Sequence, residues 1–429
     1  MGTAIHPPTE LNASGNPLSP RWISIVVIIW CGQALSVFAT CAASFAAIWF
    51  ITETTASPIW LSLASAASLL PVALLSPLGG VVADRFNRKH VMILADGCAG
   101  LFSLVLALVI IVGYLSVPLM LLLLTVRASS QAFHGPALSA LMPHLVPERH
   151  LIRINSMDQA IVSLSSIAGP VLGIFLYTLI GLQGVMILDA LCAAFACICL
   201  AKAPLSDAVP TRTQTQQSLR ADLKEGALFL MNNKGLKNLM FLIMITMLLF
   251  MPVSSLSPLM TYDHFDGDGW AASFIEATFG IGLLVGSAAI MVWGGGTKRV
   301  PIIIVSGIVL GLALAICGLL KHDQFMCFAV LIGISAAAIG CYNAPILPII
   351  QKHTPDEKLG RVMGIFLTGS SLAAPIGLMF SGFIAEAIGI TTWFTICGTL
   401  VALCCVGAWF NRAIRTLDTS PNQQNSTVA

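Results

Sequence analysis

Long apolar runs separated by brief polar breaks set the pattern of this chain. Runs at 23–50, 57–80, 90–113, 117–141, 155–180 and 184–203 are followed by a second set at 236–258, 271–293, 300–320, 325–350, 361–386 and 391–411. Each is close to the roughly 20 residues that a helix needs to cross a bilayer. The pattern predicts an all-α polytopic membrane protein with 12 transmembrane helices in two six-helix bundles, 23–203 and 236–411. A polar tail, 1–22, precedes the first bundle, a connector, 204–235, joins the two, and a second polar tail, 412–429, ends the chain. Within the connector, Ser218 to Met231 carries Leu219, Leu223, Ala227 and Leu230 on one face. That spacing predicts an amphipathic helix along the membrane surface. The first twenty residues are polar and contain proline, and the run after Arg21 is too long for a signal-peptide core. The first helix is therefore expected to be a retained anchor, and both tails to be disordered.

An internal repeat supports the division into halves. Pro147-Glu148-Arg149-His150-Leu151-Ile152-Arg153 leads into Ser165-Ser166-Ile167-Ala168-Gly169-Pro170. In the second half, Pro355-Asp356-Glu357-Lys358-Leu359-Gly360-Arg361 leads into Ser370-Ser371-Leu372-Ala373-Ala374-Pro375. The spacing predicts two similar bundles in parallel orientation, related by pseudo-symmetry.

Composition narrows the class. Hydrophobic residues make up 57% of the 429, charged residues only 9%, and the mean hydropathy is +0.90. These values exclude an ordinary water-soluble domain. With the N-terminus placed inside, 19 of the 21 lysines and arginines fall in cytoplasmic segments, the bias that orients membrane proteins. Both termini are therefore expected in the cytoplasm. A net charge of +2 gives no reason to expect nucleic acid. The twelve cysteines lack CxxC spacing, so neither a metal site nor a disulfide framework is expected. No GxxxxGK[ST] phosphate loop is present, which removes ATP hydrolysis. Enzymatic chemistry and a cofactor are not expected, and an ion gradient remains as the energy source.

Charges inside the apolar runs mark candidate sites, because an ionised group in the bilayer interior is costly unless it has a task. In the fourth run, Arg127, Gln131 and His134 lie on one helical stripe. Helical rise places Arg127 about 15 Å from the outer end. Asp189 and Glu276 each lie about 7 Å from the outer surface, and Asp96 at a similar depth from the inner one. Asp189 and Glu276 are the candidates for ion coupling or cation recognition. Asp96, two turns into the third run, is expected to pair with Arg85 or Arg88. Gln33, Ser36, Thr40, Tyr342 and Asn343 are weaker cavity candidates.

The stretch GGVVADRFNRKH, Gly79 to His90, concentrates one acid and three permanent bases between two apolar runs. Its order Gly80-x-x-x-Asp84-Arg85-x-x-Arg88-Lys89 resembles the loop between the second and third helices of major facilitator superfamily transporters. Here Gly80 is expected to allow close helix approach, Asp84 to face a helix dipole, and Arg85 and Arg88 to form ion pairs that close the inner face. Asn87 stands where the family prefers glycine, which predicts a positive φ. Arg127, Gln131 and Gly135 are similar to the family's mid-membrane arginine motif, and Gly169-Pro170-x-x-Gly173 resembles its antiporter motif. Other phrases, such as AFHGPALSAL (132–141), Lys224-Glu225-Gly226, Asn233-Lys234-Gly235-Leu236 and Leu359-Gly360-Arg361-Val362, resemble the bacterial macrolide-efflux proteins. That resemblance implies the major facilitator fold and proton/drug antiport of a bulky amphipathic macrolide. It also implies a multi-pass inner-membrane protein, expected as a monomer, whose partners are the bilayer, the drug and a coupling proton. Siderophore exporters share much of this vocabulary, and a nutrient importer or a transport-dead sensor are further alternatives.

Overall fold

A computed structural model describes residues 22–203, 219–294, 296 and 298–418. The expectations for most of the two tails, and for 204–218 of the connector, lie outside the described residues. The first half forms α1 (Trp22–Thr55), α2 (Pro58–Arg85), α3 (Arg88–Val112) and α4 (Val117–Leu145). The next helical stretch, Glu148–Lys202, is interrupted at Gly181, whose φ of 68° and ψ of 172° suit glycine far better than an L side chain. Gly181 thereby separates α5 (148–180) from α6 (182–202). Then come α7 (Leu219–Asn232), α8 (Lys234–Ser255), α9 (Gly269–Trp293), α10 (Val300–Cys317), α11 (Phe325–Asn343), α12 (Ile346–His353), α13 (Asp356–Ile388) and α14 (Ile390–Phe410). Ten helical stretches are long and apolar enough to span a membrane. Dividing one of them at Gly181, and adding the 29-residue α4 with its charge at Arg127, makes twelve spans among the described residues.

Several ends differ from the apolar runs for identifiable reasons. Helix α2 continues through the charged motif to Arg85, so only Phe86 and Asn87 separate it from α3. Asn87 takes φ −61° and ψ 114°, and its side chain accepts from Lys89 N. It is therefore an ordinary N-cap, and the expected positive φ is not found. Pro345, which has no N–H to continue a helix, lies in the short break between α11 and α12, dividing the predicted run 325–350. At the other end, part of the expected disordered tail is folded: Arg412–Arg415 and Thr416–Asp418 form helical turns that bury Ile414 and Leu417.

The repeat has a direct geometric counterpart. Pro147 and Pro355 are both N-caps, of α5 and α13, with φ,ψ of −57°,142° and −57°,145°. In each case its carbonyl accepts from the residue three positions on, His150 N and Lys358 N, at 2.9 Å.

The chain forms two compact units. One contains the described residues up to Phe50 and from Ala67 through α6; the other contains Ile51–Ala66 and α7 onward. In the first, Ile25, Ile29, Met92, Leu141 and Leu200 are buried together. In the second, Leu236, Ile303, Tyr342, Ile349, Val362 and Leu417 form the core at one end. Residues 51–66 join the second unit because the start of α2 seats on α13: a Cβ on Gly382 would come within 2.8 Å of Ile59 Cα, and the Ser62 and Ser381 hydroxyls meet at 3.3 Å. Helix α7 is held to α13 by Glu225, which pairs with Arg361 at 2.6 Å and Lys358 at 3.6 Å. Its Leu230 is buried, whereas Leu228 and Met231 are exposed.

Candidate functional site

In the first unit, Arg127 on α4 is 5% exposed and Asp189 on α6 is 2% exposed. Arg127 Nη2 and Nε donate to Asp189 Oδ2 at 2.9 and 3.2 Å. The remaining valences are filled from neighbouring helices. Arg127 Nη1 donates to Ser44 Oγ at 3.1 Å, while Asp189 accepts from Ser103 Oγ at 2.6 Å and Thr40 Oγ1 at 3.0 Å. One buried ion pair thus ties α4 to α6, with polar support from α1 and α3. Coulomb attraction alone would not offset desolvation of both ions, and the added hydrogen bonds make the burial tenable. Of the sequence-selected residues, these two meet each other.

Asp96 and His134 form a second constellation. Gln33 Nε2 donates to Asp96 Oδ2 at 3.0 Å, and His134 Nε2 stands 3.5 Å from Asp96 Oδ1. That approach is in ion-pair range but too long for a well-formed hydrogen bond. Asp96 is therefore not the partner of Arg85 or Arg88 expected from sequence; it turns inward because α1 and α4 present an amide and an imidazole to it. It lines a cavity of about 330 Å³ with Gln33, Thr40, Gln131, His134 and Asp189, within the approximate 300–1,000 Å³ range of small-molecule sites.

The motif near the end of α2 is placed differently from expectation. Among the described residues of this unit neither Arg85 nor Arg88 reaches a carboxylate: Arg88 Nε donates to Ala83 O at 3.4 Å, and Asp84 and Arg85 are exposed. Lys89 supplies the tie instead, donating to Ala201 O and Ala203 O at 2.9 Å each. It thus serves the negative end of α6. Close approach falls on Gly79, where an added Cβ would lie 2.1 Å from Ala132 O; at Gly80 it would meet nothing within 4 Å. Gly79→Ala is accordingly expected to destabilise by about 1–3 kcal/mol, the usual range for overpacking, while Gly80→Ala leaves the detergent-solubilised melting midpoint nearly unchanged. Equal shifts for the two variants would contradict this packing. The sequence reading assigned the close approach to Gly80; the structure gives it to Gly79, because that residue and not its neighbour is turned toward α4.

Gly169 and Gly173 face α1, where added Cβ atoms would come within 2.6 Å of Cys41 Cβ and 2.5 Å of Ala42 O. Pro170 lies between them inside α5. This motif sets the α1–α5 contact beside Thr40, one of the groups holding Asp189.

The second unit contains the remaining acid. Glu276 on α9 accepts from Ser257 Oγ at 3.1 Å, and no base pairs with it among the described residues. A small cavity next to it is lined by Phe250, Phe279, Ser254, Ser335 and Ile332. The Phe250 and Phe279 rings stack with centroids 6.2 Å apart. That cavity measures about 10 Å³, room for roughly one water, so Glu276 is an acid set among aromatic and hydroxyl groups and does not face a drug-sized pocket in this conformation. Tyr342 is not at a cavity wall: it is buried and donates to Thr246 Oγ1 at 3.3 Å.

The sequence matches the profile of the transmembrane secretion effector family over residues 15–427. The chain belongs to the major facilitator superfamily. It is similar to "Macrolide efflux protein A" of Streptococcus pyogenes, 34% identical over 400 residues, covering 93% of this chain and 98% of the relative. It is also similar to "Multidrug efflux pump Tap" of Mycobacterium tuberculosis strain ATCC 25618 / H37Rv, 27% identical over 87% of this chain and 90% of that one. Among solved structures, the nucleoside transporter NupG matches with a TM-score of 0.70 at 14% identity, covering 90% of this chain and 100% of that one. The inward-open xylose transporter XylE from E. coli matches with 0.66 at 13%, covering 91% and 96%. These structural likenesses establish the fold. This superfamily member is thus a multi-pass efflux transporter and not an enzyme.

Proposed function

We propose that the chain exports macrolide antibiotics by proton/drug antiport with alternating access. It acts as a monomer in the bacterial inner membrane, with both termini cytoplasmic. The observation that carries this reading is the similarity to the streptococcal macrolide efflux protein along nearly the full length of both chains. The residues add chemical support. A macrolide's basic amine calls for an anionic or acceptor group in an apolar setting; Glu276 supplies the acid among aromatic side chains, and the cavity of about 10 Å³ beside it must widen to admit the drug. The Asp96–His134 pair, lining a cavity and held 3.5 Å apart, is suited to take and release a proton. Proton and drug are then held by different groups, each in its own unit. Arg127 is neutralised by Asp189, which argues against the siderophore reading, where an anionic ligand would need that guanidinium free.

The test is radiolabelled erythromycin accumulation in a drug-sensitive bacterium lacking its own major pumps. Low accumulation that rises on adding a protonophore is expected. Unchanged accumulation, with the protein present in the membrane, would overturn the macrolide assignment.

A further inference from the structure

A second concave site lies in the second unit, where α10 begins and α14 ends. Its volume is about 530 Å³, and Lys298, Arg412 and Arg415 line it together with Pro301, Ile304 and Trp409. All three bases are exposed, and none pairs with an acid among the described residues. Asp418 also lines the cavity, and its Oδ1 accepts from Arg299 N at 2.7 Å and Val300 N at 3.0 Å, capping α10, which leaves three bases against one acid there. The turn 294–299, which in the second half stands where the charged loop stands in the first, has no acid of its own, and the C-terminal turn supplies one.

The bases are held in place. Arg412 and Arg415 lie on a helical turn fixed by buried Ile414 and Leu417, and a Cβ on Gly235 would meet Ala413 O at 2.7 Å. Asn411 caps that turn by accepting from Ala413 N at 3.0 Å. The cationic edge is thus continuous with an apolar wall at the end of two membrane spans, with Trp409, 43% exposed, at the boundary. Tryptophan at such a position is characteristic of the headgroup level.

We propose that this cavity is a binding site for an anionic phospholipid. Arg412, Arg415 and Lys298 receive the phosphodiester, and Trp409 and Ile304 receive the start of an acyl chain. Two arginines match phosphate oxygens through paired N–H donors, and polybasic segments next to a span are drawn to anionic lipid. A free phosphate would use only the cationic edge and leave the apolar wall uncovered, so the lipid fits more of the site. Placement in the cytoplasmic leaflet rests on the topology proposed above. Occupancy would brace the contact between α10, α14 and the C-terminal turn.

Lipid retention measured by native mass spectrometry tests this directly, with no drug or gradient, so its outcome is separate from that of the transport assay. The purified full chain is exposed to phosphatidylglycerol or phosphatidylcholine. Phosphatidylglycerol should be retained preferentially, and the Lys298→Gln/Arg412→Gln/Arg415→Gln variant should lose that preference by about five-fold or more. Arg412→Lys/Arg415→Lys should keep most of it, and Lys234→Gln/Lys352→Gln, which leaves the cavity untouched, should keep all of it. Millimolar inorganic phosphate should not displace the lipid. Equal retention by wild type and triple variant, no preference between the lipids, or displacement by phosphate alone would each overturn the proposal.

Discussion

Replacing Asp189 by Asn is expected to destabilise the first bundle by about 3–5 kcal/mol, the usual cost of leaving a buried charge without its partner. Arg127 would retain a permanent charge at 5% exposure, while the two hydrogen bonds it gives Asp189 Oδ2 would weaken. Ser103 and Thr40 would lose an ionic acceptor at the same time. The expected readout is a sharp fall in the folded fraction recovered by size-exclusion chromatography in detergent, with a lowered melting midpoint. Arg127→Met/Asp189→Leu should recover much of that loss, since removing both ions also removes the desolvation penalty. A coupling acid would behave otherwise: Asp189→Asn would fold normally and fail only in gradient-driven transport. Normal folding of the single variant would therefore contradict the structural role assigned to this pair.

That role illustrates where sequence reasoning stops. Apolar run length sets the spans, and the depth of Arg127 along α4 follows from helical rise. The rotation of α6 about its axis does not, so the approach of Asp189 across 62 positions was not legible. Asp96 failed similarly. Its sequence neighbours are the bases of the charged motif, but the face on which it lies points toward Gln33 and His134. Local features were more readable. Prolines at the starts of α5 and α13 announced two equivalent helix entries. The amphipathic pattern announced α7, although its Glu225 links to α13 required the fold. Gly79 and Gly80 differ only in which faces a neighbour, and Asp418 becomes a cap only when the chain end returns to α10.

Glu276→Gln carries the largest expected effect on transport. Ser257 can donate to an amide oxygen as it does to the carboxylate, and no base is left unpaired, so the variant should fold and reach the membrane at normal levels. Under the proposed function, loss of the negative charge would remove a charge-assisted contact to the drug's amine, a contribution that typically corresponds to about ten- to one-hundred-fold. Erythromycin export should fall by about that factor, whereas an uncharged analogue lacking the amine should be much less affected. Glu276→Asp should retain intermediate activity because it keeps the charge at a shorter reach. Equal losses for charged and uncharged lactones would separate Glu276 from amine recognition.

The three acid-bearing places have different expected signatures. Asp189 holds a bundle together, Glu276 is suited to meet a cation, and Asp96 with His134 is suited to handle a proton. Purified protein in sealed liposomes, with an imposed pH gradient and a pH-sensitive dye inside, tests the joint claim. Adding erythromycin should produce proton movement opposite to drug movement, absent in protein-free liposomes and abolished by a protonophore. Erythromycin flux that proceeds at the same rate with or without the gradient, and without proton movement, would contradict proton-coupled macrolide export.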